Sequence, residues 1–439
     1  METNKLLRNK IVCPHCWYKF SPEMTLSVSA CRELVGDIRL GSNALKRFLP
    51  IRFDVNGVPI DERGYKCQFR ACPNCHLIIP ENVFYGPSIF ISIAGAQAAG
   101  KSYFLTSMTY KLRTLLPQKF QLSFTDSDSQ MNASIISYES RQFENDAINE
   151  LTSIEKTQPD GDNYDIVQFD HPIRFLKPYL FTLQALEGHH KYNTEAACST
   201  ICLYDNAGES YDPGQDSEDT PFTRHLKYCH AIFFLLDPLQ DSNFRKACTT
   251  VSNDPQLDLR NQRQINNSSF LTTQRQEGIF QEMVRRFRFL RQLPPNQKTR
   301  IPLVIVVTKF DIWAPLLGIN DLSTFPTCWK DIPGSTRAIV NPNMISDISE
   351  KTQKLVQKYM PTFCATIQQF SDNTCFIPVS ATGCAPTKNE HGLLAFRPCD
   401  LKPVWNEAPM LHCLKEYSLI PNIGKSLKNN HKTNNTNVR

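Results

Sequence analysis

The amino-acid sequence predicts a three-layer α/β domain with a mostly parallel sheet, preceded by a small metal-binding module. Short apolar runs rich in β-branched residues recur along the chain and are typical of buried parallel strands. These runs lie at 88–94, 199–204, 230–236 and 302–307. Segments with helical spacing of apolar residues separate several of them, which favours β–α–β units. Two C-x-x-C pairs lie upstream of the first run and predict the metal-binding module.

The composition is that of an ordinary globular protein, with 439 residues, 41% hydrophobic residues, 21% charged residues and a formal net charge of +5. This length predicts one large domain with attachments, or two to three modules. So mild a charge does not by itself indicate nucleic acid or a membrane. We expect no signal peptide, and no run approaches the ~20 apolar residues of a spanning helix. The 16 cysteines then fit a reducing, cytoplasmic compartment.

The first module, residues 1–86, contains the two cysteine pairs. The paired residues are Cys13 and Cys16, and Cys72 and Cys75. Each C-P-x-C turn directs two thiolates at one ion, and two such turns close the tetrahedral site of a zinc ribbon. Four protein ligands leave no open coordination position, so the predicted Zn²⁺ is structural. An insertion at 21–65 separates the pairs. The alternative ligands left open are Cys67, His15 and His76.

The first apolar run leads into a G-x-x-x-x-G-K-S motif, and helical spacing follows it. The motif residues are Gly95, Ala96, Gln97, Ala98, Ala99, Gly100, Lys101 and Ser102, and Tyr103 follows as a further predicted nucleotide-binding residue. Strand, glycine loop and helix in this order predict a P-loop, whose backbone N–H groups and helix N-terminus hold phosphates. Lys101 is expected at the β- and γ-phosphates, and the Ser102 hydroxyl is expected to bind Mg²⁺.

The run at 199–204 delivers Asp205 at its end, followed by Asn206-Ala207-Gly208-Glu209. An aspartate at this position of a P-loop protein holds Mg²⁺, directly or through water. The Gly208 N–H is predicted to bond the γ-phosphate and Glu209 to face the attacking water. The alternative is that these residues form a simple turn after the strand, because Asp, Asn and Gly favour turns.

The residues at two later strand ends are predicted to bind the base of a nucleotide. Thr308-Lys309-Phe310-Asp311 is a variant of N-K-x-D, in which the Asp311 carboxylate accepts hydrogen bonds from guanine N1–H and the 2-amino group. Adenine lacks both donors and would leave that carboxylate unpaired. Ser380-Ala381 ends a strand predicted from residue 374 and is expected to offer a backbone N–H to guanine O6. The alternative for the motif at 308–311 is a Lys–Asp pair in an ordinary loop, and the alternative for Ser380-Ala381 is an ordinary strand end.

The remaining pattern predicts helices at 131–153, 275–293 and 401–420, and an edge strand at 174–183 that contains Pro178. The helix at 275–293 is basic, and a solvated face is favoured over binding of nucleic acid or a partner. Its arginines are Arg285, Arg286, Arg288 and Arg291. Residues 422–439 are Asn-rich and basic and are expected to form a disordered tail.

The four nucleotide motifs together resemble the Ras-like, translation-factor-related P-loop GTPases from about residue 88 to 420. The cysteine knuckles, the insert before Asp205 and the L-L-D-P strand end are most similar to the bacterial double-GTPase family, which genomic context links to biological-conflict systems. The resemblance implies a Ras-like GTPase domain at 87–421 that hydrolyses GTP with Mg²⁺ as a regulatory switch, slowly without a partner. For the switch I threonine, Thr157 is favoured over Thr125 and Thr194.

Two other functions remain open at this point. One is a P-loop ATPase in which T-K-F-D is a coincidence. The other is a nucleotide-bound adaptor that acts through the zinc ribbon with negligible hydrolysis. The expected partners are GTP or GDP and proteins that bind the ribbon and the switch regions, whereas nucleic acid stays open as a partner that the sequence does not specifically indicate.

Overall fold

The computed structural model of the protein describes residues 7–154, 164–194, 197–206, 208–211, 221–258, 269–388 and 394–421, without the side chains of residues 209, 269–275 and 388. All structural statements below refer to these ranges.

The N-terminal part consists of short strands and one short helix. These are β1 (Ile11–Val12), β2 (Lys19–Phe20), β3 (Leu26–Val28), β4 (Val35–Asp37), β5 (Gly41–Leu45), β6 (Arg47–Phe48), β7 (Arg70–Ala71), β8 (Ile78–Ile79) and α1 (Asn82–Tyr85). The described strands form one four-stranded sheet in the order β6-β3-β7-β8 and two hairpins. Both C-P-x-C turns close in the same way: Trp17 N–H bonds the Cys13 carbonyl and His76 N–H bonds the Cys72 carbonyl.

The rest of the chain is built around a larger sheet. Its strands and those of three small hairpins are β9 (Ser88–Gly95), β10 (Leu122–Asp126), β11 (Tyr164–Gln168), β12 (Pro172–Leu176), β13 (Tyr179–Ala185), β14 (Cys198–Asp205), β15 (Ala231–Leu236), β16 (Leu303–Val307), β17 (Trp329–Asp331), β18 (Ala338–Val340), β19 (Thr374–Pro378), β20 (Thr387–Lys388) and β21 (Leu394–Ala395). Seven described strands form the central sheet in the order β10-β13-β14-β9-β15-β16-β19. Among them, β13 alone runs opposite to the other six. The predicted mixed α/β class with a mostly parallel sheet is therefore confirmed.

Helices lie on both faces of this sheet. They are α2 (Lys101–Leu115), α3 (Ala133–Phe143), α4 (Ser242–Cys248), α5 (Ser269–Arg291), α6 (Phe310–Trp313), α7 (Pro342–Tyr359), α8 (Pro361–Phe370) and α9 (Ala408–Glu416). Ile91 and Ile93 of β9 share one apolar cluster with α2, α7 and α9. Ala94 and the alternate residues of β15 belong to a second cluster with α5 and α8. Phe90 and Tyr204 point into a third cluster, which includes Trp17 and Phe20 of the N-terminal part. Burial on both faces explains why these strands are continuously apolar.

Three element predictions were wrong in detail. The helix predicted at 131–153 covers only Ala133–Phe143. The edge strand predicted at 174–183 is two strands, β12 and β13, which Lys177 and Pro178 separate, because proline has no N–H for the ladder. β13 is also internal, because it pairs with both β10 and β14. The closing helix is shorter than 401–420 and covers Ala408–Glu416.

Candidate functional site

The predicted nucleotide motifs meet at one edge of the central sheet. β9, β14, β15, β16 and β19 run parallel, so the residues that follow them emerge at the same edge. A cavity of about 390 Å³ lies there. The residues lining it are Gln97, Ala98, Ala99, Gly100, Lys101, Ser102, Tyr103, Phe104, Ser153, Ile154, Asp205, Gln256, Thr308, Lys309, Asp311, Val379, Ala381, Thr382, Pro386, Leu394 and Phe396. Motif residues from positions 97 to 381 thus share a single cavity.

The loop from Gly95 to Gly100 connects β9 with α2 and depends on its glycines. A Cβ at Gly95 would stand 2.7 Å from the Leu235 carbonyl oxygen, so strand β15 leaves no room for a side chain. Gly100 has φ +87°, which favours glycine. The Lys101 ammonium donates to the carbonyl oxygens of Gly95 and Ala96, at 2.9 and 3.1 Å. These bonds hold the positive charge against the loop.

Asp205 ends β14 and contributes its carboxylate to the cavity wall. Its Oδ1 atom is buried and has no hydrogen-bond partner among the described residues. Burial raises the pKa of Asp205, and the Lys101 charge opposes that rise. A buried carboxylate oxygen without a donor is a suitable ligand for a hard cation such as Mg²⁺.

Gly208 lies directly against the phosphate loop. A Cβ at this position would be 3.1 Å from the Gly95 carbonyl oxygen and 3.3 Å from the Gln97 nitrogen. The segment Gly208–Tyr211 is a single 3₁₀ turn. Ala207 and the side chain of Glu209 lie outside the described part of the chain, so the predicted role of Glu209 stays a prediction.

At the other end of the cavity, Asp311 receives a hydrogen bond from the Ser380 hydroxyl. Burial raises the pKa of Asp311 to about 6, with a further contribution from the nearby Asp254 carboxylate, and the Ser380 bond opposes the rise. The Ser380 Oγ also accepts the Gly383 N–H at 2.8 Å. Ser380 therefore orients Asp311 and braces the following turn, a role that the sequence did not predict.

Thr308 and Lys309 are held by the neighbouring strand β15. The Thr308 N–H and hydroxyl both donate to the Leu236 carbonyl, and the Trp313 indole donates to the Thr308 carbonyl at 2.8 Å. These bonds brace the loop in which threonine replaces the usual asparagine. The Lys309 ammonium forms an ion pair of 2.8 Å with the buried Asp237.

Ser380 and Ala381 do not contribute equally to the cavity. The Ser380 N–H donates to the Val404 carbonyl at 3.1 Å. Ala381 and Thr382 line the cavity, and Ser380 does not. The backbone donor predicted for the base is therefore better placed on Ala381 or Thr382.

One wall of the cavity contains a residue that no sequence motif predicts. Phe396 follows the hairpin β20–β21 and packs edge-on against Tyr103, with ring centroids 5.4 Å apart. Thr152 and Phe396 exchange two backbone hydrogen bonds, and the Ile154 N–H donates to the Tyr103 hydroxyl at 3.1 Å. No local motif marks Phe396, because its position depends on a contact with a distant part of the chain.

The switch I threonine is not located by the structure. Thr157 lies outside the described residues. Thr125 is on β10 opposite Thr182, and Thr194 bonds the Lys191 carbonyl in a turn. Neither Thr125 nor Thr194 lines the cavity.

The four predicted zinc ligands converge in the N-terminal part. The sulfur atoms of Cys13, Cys16, Cys72 and Cys75 all lie within 4.8 Å of one another. The Cys16 sulfur accepts a hydrogen bond from the Asn74 amide at 3.5 Å. A cluster of four thiols at this spacing could hold Zn²⁺.

The alternative ligands are occupied elsewhere. The His15 ring bonds the Ile78 carbonyl and lies 3.5 Å from Asp165. The His76 ring faces Asp37 at 2.8 Å. Cys67 donates weakly to the Tyr65 carbonyl. The described residues contain no second group of His, Cys, Asp or Glu with metal-ligand spacing.

The arginines of α5 bond mainly within the protein. Arg286 donates to the Ser210 carbonyl at 2.6 Å, and Arg291 donates to the Leu226 and Cys229 carbonyls. Arg288 donates to the carbonyls of Pro294 and Gln297, which follow its helix, and to the Gln369 carbonyl. Arg285 pairs with Glu282. Most of these arginines therefore stabilise the fold through hydrogen bonds within the chain, whereas the sequence pattern favoured a solvated face.

Comparisons with known proteins add little to this geometry. No family model matches the chain. A protein of Mycolicibacterium smegmatis named "Putative ESX-1 scaffolding and assembly protein SaeC" is 29% identical over 177 residues, which are 40% of this chain and 39% of that protein. The chain thus matches about two fifths of the length of this relative. Its name does not describe a double GTPase.

Two solved structures of sup35, complexed with GDP and with GMPPNP, give TM-scores of 0.22 and 0.21. Each is 11% identical and covers 67% of this chain and 38% of the solved chain. Scores this low carry no argument about the protein.

None of the helices in the described ranges combines the length and the apolar content that a membrane span requires.

Proposed function

We propose that this chain is a guanine-nucleotide-binding P-loop protein that hydrolyses GTP to GDP with Mg²⁺. The observation that carries the proposal is the shared cavity of about 390 Å³ that the phosphate loop, Asp205, Asp311 and Ala381 line together. This volume suits a small-molecule ligand. In this proposal the domain spans 87–421, and the tail at 422–439 takes no part.

Each end of the cavity matches one part of the nucleotide. The loop N–H groups and Lys101 would hold the phosphates, and Ser102 and Asp205 would hold Mg²⁺, which neutralises developing charge on the phosphates. Asp311 would accept hydrogen bonds from the guanine N1–H and 2-amino groups, and Ala381 would offer its N–H to O6. The Tyr103–Phe396 wall would exclude water from this site.

We further propose that the protein is a regulatory switch that hydrolyses GTP slowly. No arginine of the described residues lines the cavity in the position of an arginine finger, and we expect turnover to be slow until a partner supplies one. Gly208, directly against the phosphate loop, would sense the γ-phosphate, and Glu209 would face the attacking water. Thr157 stays our choice for the switch I threonine.

The zinc ribbon at 1–86 would hold a structural ion and serve partner proteins. The name of the partial relative favours a role in a multi-protein assembly, and the resemblance to double-GTPases favours an assembly of the conflict-system kind. We also propose that the protein is cytoplasmic.

Binding of the purified full chain to a fluorescent GDP, with GTP and ATP as competitors, tests the base preference. We expect GTP to compete at least about 100-fold better than ATP, and Asp311→Ala to abolish that preference. Asp347→Ala, an exposed carboxylate on α7, serves as the matched control. Equal competition by ATP, with Asp311→Ala unchanged, would favour the ATPase.

Hydrolysis is tested separately in single-turnover reactions with enzyme in excess over GTP. We expect turnover by the parent protein and its loss in Lys101→Ala. If the parent binds GTP but turns it over no faster than Lys101→Ala, the protein is a nucleotide-bound adaptor.

A further inference from the structure

Three parts of the chain that are far apart in the sequence meet around the candidate nucleotide cavity. They are Tyr103 on α2, residues 148–154 after α3, and residues 394–399, which begin with β21. We call these three segments together the clasp. Each of them contributes residues to the cavity wall, namely Tyr103, Ser153, Ile154, Leu394 and Phe396.

Each segment of the clasp contacts the other two. The Tyr103 and Phe396 rings pack edge-on, with centroids 5.4 Å apart. The Phe396 backbone exchanges two hydrogen bonds with the Thr152 backbone, at 2.8 and 2.9 Å. The Ile154 N–H donates to the Tyr103 hydroxyl at 3.1 Å. These contacts form a closed ring, so a segment that leaves the cavity wall must break its contacts with both of the others.

Further bonds join the two loop segments beside the cavity. The Thr152 hydroxyl donates to the Phe396 carbonyl at 3.3 Å and accepts a hydrogen bond from the Gln142 amide at 3.1 Å. The Cys399 N–H donates to the Ile148 carbonyl at 3.1 Å. Thr152 does not itself line the cavity. Its hydroxyl therefore acts on a ligand in the cavity only through the clasp.

Little apolar burial supports these bonds. Ile148 is 50% exposed, and Ser153 and Arg397 are also exposed. Segments that depend on a few hydrogen bonds near solvent open locally at a free-energy cost well below that of global unfolding. The clasp can therefore open while the central sheet stays folded.

We propose that the clasp is a gate, and that its opening limits the rates at which a nucleotide enters and leaves the cavity. This inference rests on the proposed guanine-nucleotide function and adds a means of regulating it. Loops that close over a ligand often set the rate of its release. Tyr103 immediately follows Ser102, so the clasp joins the phosphate loop to the Phe396 wall.

Nucleotide-exchange kinetics of the full chain test the gate. Association of a fluorescent GDP is followed by stopped flow, and its release is followed after addition of excess unlabelled GDP. Thr152→Val removes the hydroxyl at nearly constant volume, and Tyr103→Phe removes the acceptor of the Ile154 N–H but keeps the ring. Each should raise both the association rate and the dissociation rate about fivefold, because the loss of one hydrogen bond favours the open clasp by about that factor. A rise confined to the dissociation rate in both variants would indicate a lost ligand contact and overturn the gate.

Matched substitutions on α2 provide the controls. Neither Tyr110 nor Thr114 lines the cavity. Thr114 is exposed, and its hydroxyl bonds the Lys111 carbonyl of its own helix. Tyr110→Phe and Thr114→Val should exchange GDP like the parent protein. Melting temperatures close to the parent value establish that the variants are folded.

A reversible crosslink tests the gate without weakening it. The Cα atoms of an antiparallel hydrogen-bonded pair such as Thr152 and Phe396 are ~5.5 Å apart, within disulfide reach. Thr152→Cys with Phe396→Cys, in a Cys399→Ser background that removes the exposed native thiol, is loaded with GDP and then oxidised. Because the disulfide disfavours the open clasp, release should be at least about tenfold slower than from the same protein after reduction. Cys399→Ser alone, oxidised and reduced in the same way, should show no such difference.

The outcomes separate this proposal from the one on which it rests. A parent protein that binds no guanine nucleotide contradicts the proposed function and the gate with it. If the parent binds GDP, but Thr152→Val, Tyr103→Phe and the disulfide all leave its exchange rates unchanged, the gate alone is contradicted.

Discussion

The Tyr204 hydroxyl donates a buried hydrogen bond of 2.7 Å to the carbonyl oxygen of Pro14. Pro14 lies within the first C-P-x-C turn, and Tyr204 immediately precedes Asp205 on β14. Trp17 packs against the Tyr204 ring at 5.9 Å and against His225 at 6.0 Å. Burial raises the pKa of Tyr204 well above its ordinary value, so its hydroxyl stays a donor. The cysteine cluster thus supports the strand that carries the candidate Mg²⁺ ligand.

Tyr204→Phe tests this support. The substitution leaves the buried Pro14 carbonyl without its donor, which costs about 1–3 kcal/mol. We expect the free energy of unfolding, from urea titration, to fall by that amount. Tyr192→Phe, on a tyrosine that is 46% exposed, should change it little. Equal stability of the two variants would show that the hydrogen bond does not stabilise the fold.

Metal analysis tests the cysteine cluster. We expect one zinc ion per chain in the purified parent protein and a large loss of bound zinc in Cys72→Ser, with a lower melting temperature, because a structural site contributes folding energy. Cys67→Ser should retain the ion, because Cys67 lies outside the cluster. Full zinc content in Cys72→Ser would argue against this ligand set.

The affinity for GDP should depend on pH through Asp311. Its pKa of about 6 in the free protein means that the carboxyl is largely protonated below that pH. Guanine requires the ionised carboxylate as acceptor, so affinity should fall about tenfold per pH unit below about 6 and level off above it. In Asp311→Asn the phosphates of GDP still titrate, but the additional fall in affinity below about pH 6 should be absent. Parallel pH profiles for the two proteins would contradict the assignment.

Asp311→Asn should stabilise the nucleotide-free protein at neutral pH. Because the folded-state pKa is raised from 3.8 to about 6, ionisation costs folding free energy as pH rises through this window. The uncharged variant avoids a cost of up to about 3 kcal/mol. Chemical denaturation at pH 7.5 should show a higher free energy of unfolding for the variant than for the parent. This difference should disappear near pH 4. If Asp311→Asn is less stable than the parent at pH 7.5, the surrounding hydrogen bonds and charges offset the cost of burying the ionised carboxylate, and the prediction is wrong.

The sequence predicted the architecture well where patterns are local. Mostly apolar runs located β9, β14, β15 and β16, because strands buried on both faces consist predominantly of apolar residues. The motifs after these strands then had to meet, because parallel strands deliver their ends to one edge. The paired cysteines converged for a similar reason, since each C-P-x-C turn has its own local geometry.

Long-range contacts escaped prediction. Phe396 reaches the cavity only because its backbone pairs with Thr152, and Ser380 faces Asp311 only in the folded sheet. The arginines of α5 look like a surface feature because periodicity cannot show that carbonyls from other segments face them. The alternating pattern predicts Pro178 within an edge strand, whereas Pro178 lies between two strands.

The strand order also constrains how the protein is made. β9, which carries the phosphate loop, is flanked by β14 and β15, and both follow it far along the chain. A nascent chain that has just left the ribosome with residues 95–102 therefore has no neighbouring strands to hold them. The cysteine cluster uses residues 13 to 75 and has all its thiols before β9 is synthesised. If the proposed sites hold zinc and a guanine nucleotide, the metal acts on the emerging polypeptide, whereas the nucleotide stabilises only a chain synthesised at least as far as β16 and Asp311.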